Sequence, residues 1–321
     1  MPKAVEVRAT GGPEVLNYTD LEAPEPGPGE LLVDVSAAGV NFIDTYHRSG
    51  AYPLELPFIV GLEGAGTVRS LGDGVQGFAV GDPVAWAGVP GSYAEQVRVP
   101  ADAAVPVPGG VEVETAAAVM LQGLTAHYLA NSVYPIAKGD TVLVHAAAGG
   151  VGLLLTQLAR SRGARVIATV STQEKERLAL EAGAEEIAGY HDFPERVREL
   201  TNGNGVAAVY DGVGRSTFDG SLASLRSRGT LALFGAASGP VDPVDPQRLN
   251  NAGSVFLTRP KLADYVATRE ELEWRARDLF TAIGAGELSV RIGGRYPLSD
   301  ARGAHSDLEA RRTTGKLLLL P

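Results

Sequence analysis

The 321 residues include no cysteine, which excludes disulfides, thiolate nucleophiles and cysteine-ligated metals. No apolar run reaches the ~20 residues that a bilayer-spanning helix needs. The start, Met1-Pro2-Lys3-Ala4-Val5, alternates charge with apolar character and lacks the apolar core of a signal peptide. A soluble, cytoplasmic protein is therefore expected. Positive charge is also short. Lys and Arg number 28 against 38 Asp and Glu, a net charge of −10, which argues against a nucleic-acid or anionic membrane surface and leaves room only for a local basic groove. Histidines number five, and the lysines are only Lys3, Lys138, Lys175, Lys261 and Lys316. The rest is ordinary for a globular chain, with 45% apolar and 21% charged residues. The length allows two domains, each with its own core.

The first 110 or so residues read as β-rich. Short apolar runs at Glu30–Val35, Gly64–Leu71 and Pro83–Ala87 are separated by Gly, Pro and Asp turns. Ala23-Pro24-Glu25-Pro26-Gly27-Pro28-Gly29 can be neither helix nor central strand. This spacing suggests a compact barrel or sandwich. From Val113–Asn131, which reads as helix, strands and helices alternate. Strands are expected at Thr141–Ala146, Arg165–Val170, Val206–Tyr210, Thr230–Phe234 and Ser254–Thr258. Helices are expected at Val151–Arg162, Gln173–Ala182 and Ser216–Leu225. Such alternation implies a parallel sheet covered on both faces. A polar helix over Thr268–Ile283 follows, and the tail ending in Lys316–Leu320 is expected to return to the first domain.

Within that alternation, Val142-Leu143-Val144-His145-Ala146-Ala147-Ala148-Gly149-Gly150-Val151-Gly152 is an apolar strand, a glycine-rich turn and an apolar helix start. A bare glycine match is weak evidence, but the flanking strand and helix give it context. Gly149 permits the tight turn, Gly150 clears a Cβ from the path of a pyrophosphate, and Gly152 lets helix and strand pack closely. The N–H groups and helix dipole over Gly150–Gly152 suit phosphates. The alternative is a tight turn with no ligand, although three glycines at this register are poor helix starters. The next strand carries no Asp or Glu at its end, where NAD enzymes bind the adenine ribose. It runs into Ser171-Thr172, with Lys175 within one turn. A solvated lysine is the plainer reading of Lys175, but a missing carboxylate beside a cation suits the 2′-phosphate of NADP. NADPH is the expected cofactor.

The chain resembles the quinone oxidoreductases of the zeta-crystallin type, zinc-free members of the medium-chain dehydrogenase/reductase superfamily. The resemblance runs over nearly the whole length. It rests on Gly11-Gly12-Pro13-Glu14-Val15-Leu16, Gly39-Val40-Asn41-Phe42-Ile43-Asp44-Thr45-Tyr46 with Arg48-Ser49-Gly50 and Tyr52, and Gly123-Leu124-Thr125. It rests also on His145–Gly152, Val209-Tyr210-Asp211 with Val213-Gly214, and Thr258-Arg259-Pro260. The resemblance implies an α/β protein. A chaperonin-10-like β-barrel catalytic domain would be built from both chain ends, 1–122 and 262–321, and a doubly wound Rossmann dinucleotide-binding domain would span 123–261. It also implies NADPH-dependent reduction of small quinones by a homodimer.

By the same resemblance, Ser171, Lys175, Tyr190 and Arg311 surround the 2′-phosphate end, and Gly150 and Val151 meet the pyrophosphate within the cofactor-binding turn Gly149–Gly152. Asn41, Phe42, Tyr46, Thr125 and Tyr128 line the nicotinamide end, with Val213, Gly235, Ser238, Phe256, Leu257 and Thr258. Two positions depart from the pattern, Gln122 where many relatives carry lysine and Ala236 where some carry asparagine, so substrate preference is expected to differ. Zinc-dependent relatives carry a cysteine where Asn41 stands and a Gly-His-Glu motif where this chain reads Gly61-Leu62-Glu63. Zinc needs N or S donors in a tetrahedral set, and that set is missing. Glu63 is expected to accept hydrogen bonds in a partly buried turn.

Without a Lewis acid an alcohol is hard to ionise for hydride removal, whereas a quinone brings its own electrophilicity and needs chiefly positioning and a proton. Tyr46, Tyr52 and Asn41 are the candidate catalytic residues. A phenol is protonated at neutral pH and can hydrogen-bond a developing oxyanion. Both rings could equally be pocket wall, with water as the proton source. Asp44 and Arg48, four apart, are expected to form a structural ion pair. Two alternatives stay open: reduction of α,β-unsaturated ketones or aldehydes, and a non-catalytic nucleotide- or RNA-binding role of the crystallin kind. The acidic balance and the apparent cofactor motif favour the enzyme.

Overall fold

Alternating apolar and polar residues give the first stretch of chain strands with one buried face each. These are β1 (Lys3–Val7), β2 (Leu16–Asp20), β3 (Glu30–Val40), β4 (Phe58–Ile59), β5 (Glu63–Leu71), β6 (Pro83–Ala87), β7 (Gln96–Pro100) and β8 (Ala104–Pro106). The computed structural model describes all residues, Met1–Pro321. Between β3 and β4 lies α1 (Phe42–Ser49), which begins at Asn41 in an extended conformation and ends at Gly50, whose φ of 80° is left-handed. A residue with a Cβ would be strained there. β3 is longer than its expected Glu30–Val35. Ala37, Ala38 and Val40 continue the buried run, and β5 pairs along it as far as Ala38↔Gly64.

Helix α2 (Val113–Tyr128) leads into a second unit, Thr125–Tyr265. The expected helix to Asn131 instead gives way to one π turn, Leu129–Val133. Strands β9 (Thr141–Val144), β10 (Arg165–Thr169), β11 (Glu186–Ala188), β12 (Val206–Asp211), β13 (Leu225–Leu233) and β14 (Phe256–Thr258) form one sheet in the order β11-β10-β9-β12-β13-β14. Every pairing in it is parallel. Helices α3 (Gly150–Ser161), α4 (Gln173–Glu181), α5 (Phe193–Leu200), α6 (Phe218–Ser224), α7 (Pro246–Asn251) and α8 (Leu262–Tyr265) lie between or after the strands. The strand order reverses at β9, the topological switch point where open α/β sheets bind ligands at their carboxyl ends. β9 stops at Val144, two residues short of the expected end, because Ala146 already has a left-handed φ of 49°. β13 begins earlier than expected and includes Arg228 at φ 59°, with a register shift against β12 between Val206 and Ala208.

The chain then rejoins the first unit, Met1–Leu124 with Val266–Pro321, through α9 (Arg269–Gly284), β15 (Ile292–Pro297), α10 (Ala301–Glu309) and β16 (Lys316–Leu320). The first unit has a sheet in the order β15-β16-β3-β5-β6-β8, with β7 also on β3, and a three-stranded sheet β2-β1-β4. The tail strand β16 pairs antiparallel with the end of β3, Leu317 against Val40. One core therefore draws on both chain ends: Leu31, Val33, Val68, Trp86 and Tyr93 pack with Leu298, Ala301, Leu317 and Leu319.

Candidate active site

In the parallel-sheet unit the glycine-rich turn leaves β9 at its carboxyl end and opens α3. The N-cap is Gly149, and no side chain caps the helix, so the first-turn N–H groups and the positive end of the dipole are left for an anion. A Cβ on Gly152 would meet the Ala146 carbonyl oxygen at 2.4 Å and the Ala147 Cα at 2.6 Å. Those are backbone atoms that cannot swing away, so glycine is required for α3 to start this close to β9. Ala146 in its left-handed conformation donates its N–H to the Tyr190 hydroxyl at 3.1 Å, and Tyr190 lies nearly parallel to His145, 6.2 Å between ring centroids. Tyr190 thus braces the turn from the strand side.

Beneath the turn lies a buried polar chain. Ser221 donates to Asp211 Oδ2 at 2.8 Å, so its oxygen accepts from His145 Nε2, 2.9 Å away. His145 Nδ1 then accepts from the Thr169 hydroxyl at 2.8 Å. Burial holds the His145 imidazole at about 4 against a weak pull upward from Asp211, so the ring is neutral with its proton on Nε2. Asp211 also accepts from the N–H groups of Val213 (2.8 Å) and Gly214 (3.0 Å) and from Thr217. The Gly235–Ser238 loop is tied to the same place. Ser238 donates its N–H to the Val213 carbonyl at 2.7 Å, and a Cβ on Gly235 would strike the Gly212 oxygen at 2.4 Å. The loops after β9, β12 and β13 are in this way fixed to one another at the carboxyl edge of the sheet.

At the end of β10 the chain continues Val170-Ser171-Thr172 without a carboxylate. Thr172 is the N-cap of α4 and accepts from the Lys175 N–H at 3.3 Å, which puts Lys175 in the first turn and Ser171 on the exposed approach to it. Tyr128, buried, stacks on Tyr265 at 4.4 Å with rings 8° apart, and Thr125 is buried three residues before it. Phe256, 63% exposed, opens β14 ahead of Leu257 and Thr258.

In the barrel unit, Asn41 and Phe42 lie at the head of α1 and Tyr46 one turn further along it. An aromatic run Phe42–Tyr46–Tyr52 follows, with centroids 6.2 and 5.2 Å apart, and Tyr52 is 41% exposed. The Asn41 amide is held on every side. Nδ2 donates to Glu63 Oε2 at 2.7 Å and to the Gly39 carbonyl at 3.3 Å. Oδ1 accepts from Lys316 Nζ at 2.8 Å and from Gln122 Nε2 at 3.3 Å. Lys316 Nζ also donates to Glu63 Oε2, whose other oxygen accepts from the Leu121 N–H at 2.6 Å. Arg311 follows α10, exposed, with φ 57°.

Two expectations need correcting. Asp44 and Arg48 do not pair. The Asp44 carboxylate turns inward to accept from the Asn41 N–H (2.8 Å) and the Tyr93 hydroxyl (2.9 Å), as an N3 residue closing a capping box. Arg48 bonds Glu309 at 2.7 and 3.0 Å and His305 Nδ1 at 3.2 Å. Because Tyr93 donates to Asp44, His305 Nε2, 3.1 Å from the Tyr93 oxygen, is the donor there. Burial, aided by Arg48, keeps that imidazole neutral, down to about 3. Glu63, for its part, is fully buried at the start of β5 against a lysine, not in a partly buried turn. Lys316, Tyr93 and His305 escape a motif search, and Asp211, though inside a recognised motif, carries no signal of its buried partners. The one signal for Lys316 is its position, a lone lysine between Gly315 and the apolar run Leu317–Leu320.

No group of three or more His, Cys, Asp or Glu is placed to hold a metal ion. Family models match the two stretches, the alcohol dehydrogenase GroES-like domain over residues 27–109 and the zinc-binding dehydrogenase over residues 150–276. The zinc of the second description does not fit the donors present here, with no cysteine and Leu62 between Gly61 and Glu63. A Pseudomonas aeruginosa quinone oxidoreductase is 47% identical over 100% of both chains, and a Burkholderia 2-haloacrylate reductase is 40% identical over 100% of this chain and 99% of that protein. Among solved structures, a mycobacterial protein complexed with NADPH has 58% identity and a TM-score of 0.97, covering 99% of this chain and 100% of that one. An Escherichia coli quinone oxidoreductase complexed with NADPH has 43% identity and the same TM-score at the same coverage. With a chaperonin-10-like barrel, a doubly wound Rossmann unit and relatives this similar over its full length, the chain belongs to the quinone oxidoreductase family of the medium-chain dehydrogenase/reductase superfamily.

Proposed function

We propose that this protein reduces small quinones with NADPH, without a metal ion. The observation that carries the reading is the uncapped, glycine-lined start of α3 at the switch point, beside a β10 that ends without a carboxylate and leads into α4, whose first turn carries Lys175 between Glu174 and Glu176. When bound, NADPH supplies the hydride. The chain's own residues do the rest. The first-turn N–H groups of α3 hold phosphate charge. Lys175, Ser171, Tyr190 and Arg311 are assigned to the 2′-phosphate end, and Asn41, Phe42, Tyr46, Thr125 and Tyr128 to the nicotinamide end, with backbone at Val213, Gly235–Ser238 and Phe256–Thr258. Tyr46 and the half-exposed Tyr52 are the phenols assigned to meet the acceptor's oxygen, with water as the other proton source. A quinone is electrophilic enough for positioning and a hydrogen bond to suffice. The reading includes a homodimer and a cytoplasmic location, and no helix is long and apolar enough to cross a membrane.

The 2-haloacrylate reductase relative favours a second reading, in which the same hydride goes to a polarised alkene. A panel followed by NADPH oxidation separates the two. Simple ortho- and para-quinones are expected to turn over at least tenfold faster than α,β-unsaturated acids, ketones or aldehydes. The reverse order would move the assignment to alkene reduction.

A further inference from the structure

The cluster around Asn41 is built from charges that the proposed reaction does not itself use. Lys316 is 1% exposed and Glu63 0%, and their ion pair is fully desolvated. A buried pair of this kind is a poor source of stability, because desolvation of both ions offsets most of their attraction. The backbone is nevertheless shaped to admit it. A Cβ on Gly39 would stand 2.2 Å from Glu63 Oε2 and 2.6 Å from Lys316 Cε, so only glycine at residue 39 leaves room for the pair. Gly315, at φ 63°, turns the chain into β16 directly before the lysine.

The pair dictates which way the Asn41 amide faces. Its Nδ2 meets the Glu63 carboxylate and the Gly39 carbonyl, and its Oδ1 meets the Lys316 ammonium and the Gln122 amide. The flipped amide would set oxygen against carboxylate and carbonyl, and N–H against ammonium, so three of the four contacts would turn unfavourable, and only Gln122 could follow by turning its own amide. Asn41 also begins α1, its backbone N–H bonded to Asp44, and α1 presents Phe42 and Tyr46.

We propose that Lys316 is a positioning residue for hydride transfer: with Glu63 it locks the Asn41 amide in one orientation and so fixes the head of α1. This rests on the assignment of Asn41 to the nicotinamide end. Lys316 touches neither cofactor nor acceptor in this role, and it acts only through Asn41.

The test uses the charge-free pair Lys316→Met with Glu63→Gln, because Lys316→Met alone would strand a buried carboxylate. Gln at residue 63, still accepting from the Leu121 N–H, turns its NH2 toward Asn41 in place of the carboxylate oxygen and so no longer favours the parent orientation of that amide. The double variant is expected to fold and to bind NADPH within about threefold of the parent, while kcat for a simple quinone falls roughly 10- to 100-fold, the range a small misplacement of a reacting group produces. In an Asn41→Ala background the same two substitutions are expected to lower kcat by less than about twofold, since the group they orient is gone. An unchanged kcat, or a loss that multiplies fully with Asn41→Ala, would overturn the assignment, the latter marking a structural role alone. A parent protein that oxidises NADPH with no quinone would instead defeat the proposed function, which keeps the two failures apart.

Discussion

Two single side chains carry tests at the residue scale, one half-buried and one fully buried. The half-buried one is Lys175. Thr172 caps α4 and so places Lys175 in its first turn, beside a strand end where an NAD-type carboxylate is missing. A charge-assisted contact to a 2′-phosphate contributes ~1.5–3 kcal/mol, so Lys175→Ala should weaken NADPH binding by roughly 10- to 100-fold. NADH affinity should stay within about twofold, and titration by fluorescence reads both. Equal loss for the two cofactors would reduce Lys175 to a surface residue. The buried one is Asp44, whose carboxyl burial pushes up to about 7, only partly opposed by the hydrogen bonds from Asn41 and Tyr93. Its native value lies above its unfolded one, so the native state binds the extra proton. The stability this gives is complete below the ordinary carboxylate value and is lost as pH rises through about 7. Asp44→Asn keeps an acceptor for both donors and places an amide N–H where Asp44 Oδ1 has no partner. Its melting temperature relative to the parent should therefore climb between pH 4 and pH 8, at about 2–4 °C per kcal/mol for a protein of this size. A difference that stays constant across that range would contradict the account of Asp44.

At the scale of elements, the parallel sheet was the most legible part of the sequence. β-branched apolar runs alternating with helical stretches placed β9, α3, β10, α4 and β12 to within a residue or two of their ends. The misses have local causes. Ala146 adopts a left-handed φ that cuts β9 short, and the π turn at Leu129–Val133 ends α2 before Asn131. Neither carries a signal that periodicity can detect. The glycine turn was legible because its glycines sit between an apolar strand and an apolar helix, and at Gly152 a Cβ would clash with backbone. The Asp44–Arg48 spacing misled because helical proximity says nothing of what lies across from the helix. There, Tyr93 and Glu309 offered each residue a better partner. Lys316 was invisible for the same reason, as its partners lie 253 and 275 residues away. One element points beyond the chain. The sheet ends on β14, three residues long and headed by the exposed Phe256. An edge of this kind invites a strand from a second copy, and a twofold axis closes the arrangement. Light scattering at micromolar concentration is expected to report a dimer, and Phe256→Asp to shift it toward monomer. A monomeric parent would count against the pairing.

At the scale of the whole molecule, the chain leaves its first unit through α2 and rejoins it after α8, and β16 pairs with β3 to close one core from both ends. The return was legible because the tail Lys316–Leu320 does not continue the strand–helix alternation. Its consequence was not legible, since the same strand delivers a buried ammonium to Asn41. Metal-free hydride transfer from NADPH to a quinone is the function proposed for this molecule as a whole. The most direct measurement is the steady-state rate of a simple para-quinone with NADPH, set beside NADH and beside a saturated secondary alcohol with NADP⁺, using protein treated with a chelator. The account predicts rapid NADPH oxidation unaffected by the chelator, at least tenfold lower kcat/KM with NADH, and no measurable alcohol oxidation. Alcohol turnover matching the quinone rate, or activity abolished by the chelator and restored by zinc, would contradict it.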